Sequence, residues 1–204
     1  MTMSGRLPYP IALRGDGLHL REWRADDLAD LVALLDDPDI ARWTPMPSPF
    51  DLEAGEAYLA KAHQMRITGQ RIQLAVTVDG GAPLGEVLLF GMDAGLREAE
   101  LGYLVGAAHR RRGLATGALS LLIGYARRTL KLRRLLLRID SANLASCAVA
   151  RRCGFRLVGE PPIVQEGPYG RTSLDTWELV EQRVESRINR LRNVAARRYG
   201  RPGR

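Results

Sequence analysis

The chain has 204 residues, 46% hydrophobic and 26% charged, which suits a single domain with a real core. It contains no run of about 18 apolar residues, which excludes a helical membrane span, and Arg6, Pro8, Pro10 and Arg14 interrupt any signal-peptide core, so a cytoplasmic location is expected. The net charge of +7 is a C-terminal feature: residues 182–204 carry eight arginines against Glu185, whereas residues 1–181 balance at 22 basic and 22 acidic side chains.

In chain order, residues 1–16 read as a loosely ordered segment and residues 18–23 as a first strand. Asp26 and Asp27 favour a helix start, Leu28, Leu31, Val32 and Leu35 form its apolar stripe, and Asp36-Asp37-Pro38 stops it. Pro45, Pro47 and Pro49 argue against regular helix or central strand over residues 40–50. A second helix is expected over residues 51–67, with Leu52, Tyr58, Leu59, Ala62 and Met65 inward. Residues 71–78 alternate as a strand with Ile72, Leu74, Val76 and Val78 on one face. Asp79-Gly80-Gly81 turns the chain into a partner strand, residues 83–90, and residues 91–95 turn it again.

The stretch that follows organises the rest. Residues 98–105 read as a strand with Leu101, Tyr103 and Val105 on the face opposite Glu100, Gly102 and Leu104. A helix begins at Gly113, with Ala115, Leu119, Leu122, Ile123, Ala126 and Leu130 at helical spacing. Between them lies Arg110-Arg111-Arg112-Gly113-Leu114-Ala115, a basic loop at a helix N-terminus, where unpaired backbone N–H groups and the helix dipole favour anions. The plainer alternative is a solvated basic helix start. Residues 133–139 make an apolar strand, and residues 140–143 turn into a short helix, residues 145–152, ended by Cys153-Gly154. Residues 155–159 and 172–180 are further strands, separated by a loop rich in proline and glycine. Cys147 and Cys153 lie six apart on different sides of that helix, so free thiols are expected. His19, His63 and His109 show no metal-ligand spacing, and no metal is expected.

Strands in the middle, then strand–helix–strand–helix–strand, argue an α/β sheet of mixed direction. Two segments add a resemblance. Arg110-Arg-Arg-Gly-Leu-Ala115 resembles the acyl-CoA pyrophosphate loop, Gln/Arg-x-x-Gly-x-Gly/Ala, of the Gcn5-related N-acetyltransferases (GNAT). Asn143-Leu-Ala-Ser146 with Gly154-Phe155 resembles the family's Asn-x-x-Ser…Gly-Phe segment, about thirty residues on in the expected order. The strand over residues 99–105 is similar to that of the RimJ/RimL subgroup, which acetylates ribosomal-protein N-termini. The resemblance implies a GNAT fold over residues 17–180: a mixed central sheet splayed in the middle with flanking helices, followed by a basic helical extension over residues 181–204.

It also implies a function: direct acetyl transfer from acetyl-CoA to a primary amine in a ternary complex, foremost a protein N-terminal α-amine. The alternatives are a small-molecule amine (antibiotic, amino acid or polyamine) or a non-catalytic acyl-CoA-binding regulator. By resemblance, backbone groups near Leu104 and Val105 hold pantetheine. The loop Arg110, Arg111, Arg112, Gly113, Leu114, Ala115 and Thr116 holds pyrophosphate, and Asn143 bonds the pantetheine side unless it simply caps its helix. Glu100 is the candidate base, with a sheet-edge salt bridge as its duller reading. Where many relatives carry a tyrosine proton donor this chain has Ala150, which leaves Ser146, Tyr103 or water to protonate the thiolate. Trp43 either covers the acceptor or is a packed aromatic. In the tail, Val180, Val184, Ile188, Leu191 and Ala195 form a helical stripe that must bury against the body, a second copy or a partner. The arginines beside it either contact RNA phosphates or are a solvated charge run.

Overall fold

The computed structural model describes residues 7–167 and 170–180. The tail stripe beyond Val180, with the dimer and RNA contacts expected of it, lies outside the described residues.

Two short strands open the chain. β1 (Ala12–Gly15) and β2 (Leu18–Glu22) pair as a hairpin around Asp16 and Gly17, both at positive φ. Part of the segment expected to be loose is therefore ordered, because Asp-Gly is a tight hairpin turn and Ile11, just before β1, is buried in the core. α1 (Leu28–Leu35) follows as expected. α2 (Pro38–Trp43) does not: residues 40–43 are helical rather than irregular. Pro38 sits at the first helical position, where its missing N–H costs nothing, and Asp37 accepts from the backbone of Asp39 at 2.7 Å. The proline run begins only at Pro45, so it ends this helix rather than preventing it.

α3 (Leu52–Ile67) is capped by Asp51, which accepts from Ala54 N at 2.9 Å. Leu52 faces solvent, contrary to expectation; Gly55, Ala62 and Arg66 are the buried positions. A Cβ on Gly55 would come within 2.8 Å of Val32 and 2.9 Å of Leu28, so the absence of a side chain lets α1 and α3 approach closely.

Next come β3 (Arg71–Thr77), β4 (Gly85–Asp93) and β5 (Glu98–Val105), then α4 (Leu114–Arg128), β6 (Arg134–Asp140) and α5 (Leu144–Arg152). β7 (Arg156–Leu157), β8 (Ile163–Gly167) and β9 (Gly170–Val180) close the fold. The sheet order is β1-β2-β3-β4-β5-β6-β9, with β7 and β8 pairing β9, and all pairs are antiparallel except β5 with β6. β8 occupies part of the stretch expected as loop. Val180, expected to begin the helical stripe, ends β9 instead.

α4 packs on one face of the sheet. Its Leu119 and Leu122 are fully buried with Leu20, Ile72, Leu74 and Leu135, each such side chain contributing about 2 kcal/mol of transfer free energy. A second apolar cluster lies elsewhere: Leu31, Leu34, Ile40 and Phe50 pack with Leu104 of β5. β3 is buried along nearly its whole length, because α4 covers Ile72, Leu74 and Val76 while α3 packs against the strand as well. Val78, expected in the core, lies past the strand end and is exposed.

Candidate active site

The site begins where two parallel strands part. β5 pairs β6 only from Glu98 to Glu100, opposite Arg134 to Leu136. Beyond Glu100, β5 stays paired with β4 as far as Val105, while β6 runs on beside β9. Residues 101–105 therefore have no strand partner on the β6 side, and their edge is open to a ligand rich in amide groups. Tyr103 spans the gap. Its hydroxyl lies 2.9 Å from the Ser146 carbonyl and 2.8 Å from Ser146 Oγ, in the first turn of α5. The phenol has one proton; given to the carbonyl, it leaves the phenol oxygen to accept from the Ser146 hydroxyl. Burial pushes the Tyr103 hydroxyl up to about 12, so it stays protonated.

Two cavities meet at this bridge, sharing Trp43, Thr44, Tyr103, Leu104, Asn143 and Ser146. The first, about 500 Å³, runs along Val105 to the start of α4. Gly113 is the helix N-cap, left-handed at φ 79° with no side-chain cap, so the N–H groups of the first turn face outward. A Cβ on Gly113 would point into open space. Leu114, Ala115, Thr116 and Arg111 line this cavity, whereas Arg112 is exposed and does not. Arg110 lines it as well, but its guanidinium holds Asp37 at 2.7 Å and Asp39 at 2.8 Å and donates to the Val105 carbonyl at 3.2 Å. In this arrangement Arg110 fixes α2 to the loop. Asn143 caps α5, its Oδ1 accepting from Ser146 N at 3.0 Å, and it also lines both cavities. The two readings of that residue are therefore compatible.

The second cavity, about 440 Å³, lies over the sheet on the far side of the bridge. Glu100 faces it. Burial raises the Glu100 pKa, opposed by Arg138, whose Nε is 3.5 Å from the carboxylate and which also donates to Thr176. Trp43 stands at the junction of the two cavities, with the Arg42 guanidinium 4.5 Å over its ring.

Three polar residues of this wall are not among the expected site residues, although Tyr58 is expected inward. Glu86 is 1% exposed, and its carboxylate accepts from Tyr58 at 2.6 Å and from Trp23 and Gln73 at 2.8 Å. Burial pushes its carboxyl up to about 7, against the lowering effect of those donors and of the Arg71 charge. Tyr58 and Arg71 join it in lining the cavity. Register explains the grouping: Phe90 pairs Arg71 on one side and Glu100 on the other. The signal lies in the alternation, which sets Arg71 and Gln73 on the face opposite Ile72 and Leu74.

Among the described residues no group of three or more His, Cys, Asp or Glu could hold a metal ion, and no helix is long and apolar enough to cross a membrane.

A model of the acetyltransferase (GNAT) domain matches residues 17–156. The chain belongs to the GNAT family. It is 30% identical over 118 residues to the Probable N-acetyltransferase YjcK of Bacillus subtilis (strain 168), a match covering 53% of this chain and 65% of that protein. Among solved structures, it is similar to a probable acetyltransferase of the GNAT family from Chromobacterium violaceum ATCC 12472, with 27% identity and a TM-score of 0.74 over 86% of this chain and 88% of the other. It also resembles RimL, a ribosomal L7/L12 alpha-N-protein acetyltransferase in complex with coenzyme A, with 18% identity and a TM-score of 0.73 over 83% and 98% of the two chains.

Proposed function

We propose that this GNAT protein is an acetyl-CoA-dependent N-acetyltransferase whose acceptor is a protein N-terminal α-amine, as in the RimJ/RimL branch. The observation that carries the reading is the meeting of two cavities at the Tyr103–Ser146 bridge, one ending on an uncapped helix start and the other holding a partly buried carboxylate. Two substrates can enter from opposite sides and touch only there, as direct transfer requires. The RimL likeness supports both the coenzyme and the acceptor class.

Each part of the chain then has a task. The first turn of α4 and the small residues Gly113 and Ala115 hold the pyrophosphate of acetyl-CoA, with Arg111 adding charge. The open edge of β5 bonds the pantetheine amides. Glu100 removes a proton from the incoming ammonium, directly or through a water, so that the neutral amine attacks the thioester carbonyl. As the C–S bond breaks, the sulfur takes up negative charge. Tyr103, which stays protonated, turns its hydroxyl from the Ser146 carbonyl to donate to that sulfur while still accepting from the Ser146 hydroxyl, in the role that many relatives give to the tyrosine that Ala150 replaces.

The test is CoA release from acetyl-CoA, comparing peptides that begin with Ser, Thr, Ala or Met against aminoglycosides, polyamines and free amino acids. Turnover on peptides is the expected result. Turnover on small amines alone moves the chain to the alternative acceptor class. Silence across the panel with acetyl-CoA bound overturns the enzymatic reading for these acceptors and leaves the regulator.

A further inference from the structure

Arg71 stands apart from the other covered arginines. Arg21, Arg66, Arg110, Arg134 and Arg138 each hold a carboxylate. Arg71 holds none among the described residues. Its Nε is buried without a hydrogen-bond partner, and its guanidinium lies against the ring of Phe90, 5.4 Å from the centroid. Glu86 is near enough to feel its charge, but no ion pair joins them, because both oxygens of Glu86 already accept from Tyr58, Trp23 and Gln73. Arg71 therefore keeps its donors, and it lines the same cavity as Glu100.

Donors withdrawn from water and left unmade are costly, and a planar guanidinium fits two oxygens of one anion. The ring of Phe90 backs one face of the guanidinium and separates it from Glu100 in the row Arg71–Phe90–Glu100. Arg71 and Glu100 sit on strands two places apart, roughly 10 Å at strand spacing, so one molecule can present an anion to the first and an amine to the second. Of the other arginines lining this cavity, Arg138 is engaged by Glu100 and Thr176, and Arg42 lies over the Trp43 ring at the junction of the two cavities, which leaves Arg71 as the open cation of this row.

We propose that Arg71 is the acceptor-recognition residue and that the acceptor is a primary amine carrying a carboxylate or phosphate group a few bonds away, such as an N-terminal peptide with an acidic residue next to its first position. This rests on the acetyl-transfer reading above and narrows its substrate class.

The experiment uses partners with and without the anion: Ser-Glu-Gly-Gly-amide against Ser-Gln-Gly-Gly-amide, glutamic acid α-amide against glutamine α-amide, and O-phosphoethanolamine against ethanolamine. Which pair is turned over identifies the source of the anion. Within that pair the charged member should lead about tenfold or more in kcat/KM. In Arg71→Ala that lead should fall to about twofold or less, mainly through KM, with Arg71→Lys in between because it keeps charge but not the planar fork. No lead in the wild type, or a lead that survives in Arg71→Ala, overturns the proposal. If no pair releases CoA, the acetyl-transfer reading fails for these acceptors, and the anion site is read separately by titrating CoA-saturated protein with glutarate and with inorganic phosphate. Saturable binding by the wild type that Arg71→Ala loses supports the site; no binding by the wild type removes it.

Discussion

The two halves of the cleft are made of different materials. The coenzyme half centres on backbone and small residues of one continuous stretch, the open edge of β5, the Gly113 turn and the first turn of α4, with α2 and α5 as its side walls. The acceptor half is built of charged and aromatic side chains gathered from α2, α3 and several strands: Trp43, Tyr58, Arg71, Glu86, Glu100 and Arg138. Backbone donors at a helix start suit a ligand that does not change, since they need no particular side chain. Side chains brought together by strand register can be altered singly, which suits a ligand that differs between relatives. Acceptor-side changes should therefore alter turnover or acceptor choice, and coenzyme-side changes should alter acetyl-CoA affinity alone.

The largest effect belongs to Glu100. Glu100→Gln keeps the shape and removes the proton acceptor, so kcat should fall about 10²- to 10⁴-fold with acetyl-CoA affinity unchanged. The pH dependence follows from the direction of its shift. Burial raises the Glu100 pKa and Arg138 opposes that rise, and the base works only when ionised, so the rate climbs as pH passes upward through its pKa. Replacing Arg138 by Gln should move that limb to higher pH. Turnover by Glu100→Gln equal to the wild type would take this residue out of the mechanism and leave the acceptor half without a base at this position.

Next comes Glu86, which has no counterpart in the coenzyme half. Its folded pKa, about 7, lies above the reference value of 4.5, so the folded state binds the proton more tightly than the unfolded chain does. Its contribution is therefore complete below pH 4.5 and lost as pH rises through 7, on the order of 3 kcal/mol across that window. Glu86→Gln can still accept from Trp23 and Gln73 through its amide oxygen and cannot ionise. Urea unfolding between pH 4.5 and 7.5 should show the wild type losing stability that the variant keeps. Parallel curves would mean that Glu86 titrates near its ordinary value.

The same contrast explains what the sequence made legible. The Gly113 loop and Asn143-Leu-Ala-Ser146 are contiguous, so their chemistry is visible in a few residues, and the order of strands and helices around them follows from periodicity. α2 is hidden in the sequence because Pro45, Pro47 and Pro49 mark residues 40–50 as irregular, whereas Pro38 starts a helix that ends before them. Arg71 and Glu86 have no local mark, and Tyr58, expected only as an inner position of α3, shows its polar partner only in the fold. Glu86 sits in an otherwise apolar strand, and only the pairing of β3 with β4 and the packing of α3 show that it meets Tyr58 and Gln73. Register is a property of the fold, so a site made by register appears only with the fold.

The smallest effect is the sharpest test of the coenzyme half. Gly113 holds φ 79°, a left-handed conformation that a β-branched residue enters only with strain of about 1–2 kcal/mol. Nothing in the protein lies within 4 Å of a Cβ built there, so the strain and any blocked ligand are the only penalties. Gly113→Val either keeps the turn and sets a branched side chain at the mouth of the uncapped helix start, or relaxes the turn and misaims its N–H groups. Both raise the KM for acetyl-CoA, by roughly tenfold for the loss of about 1.4 kcal/mol of binding. Neither touches Glu100 or Arg71, so kcat at saturating acetyl-CoA and the KM for the acceptor should stay within about twofold. A variant whose acceptor KM rose together with its acetyl-CoA KM would show that the Gly113 turn also shapes the acceptor half, and the division of the cleft into two independent materials would not hold.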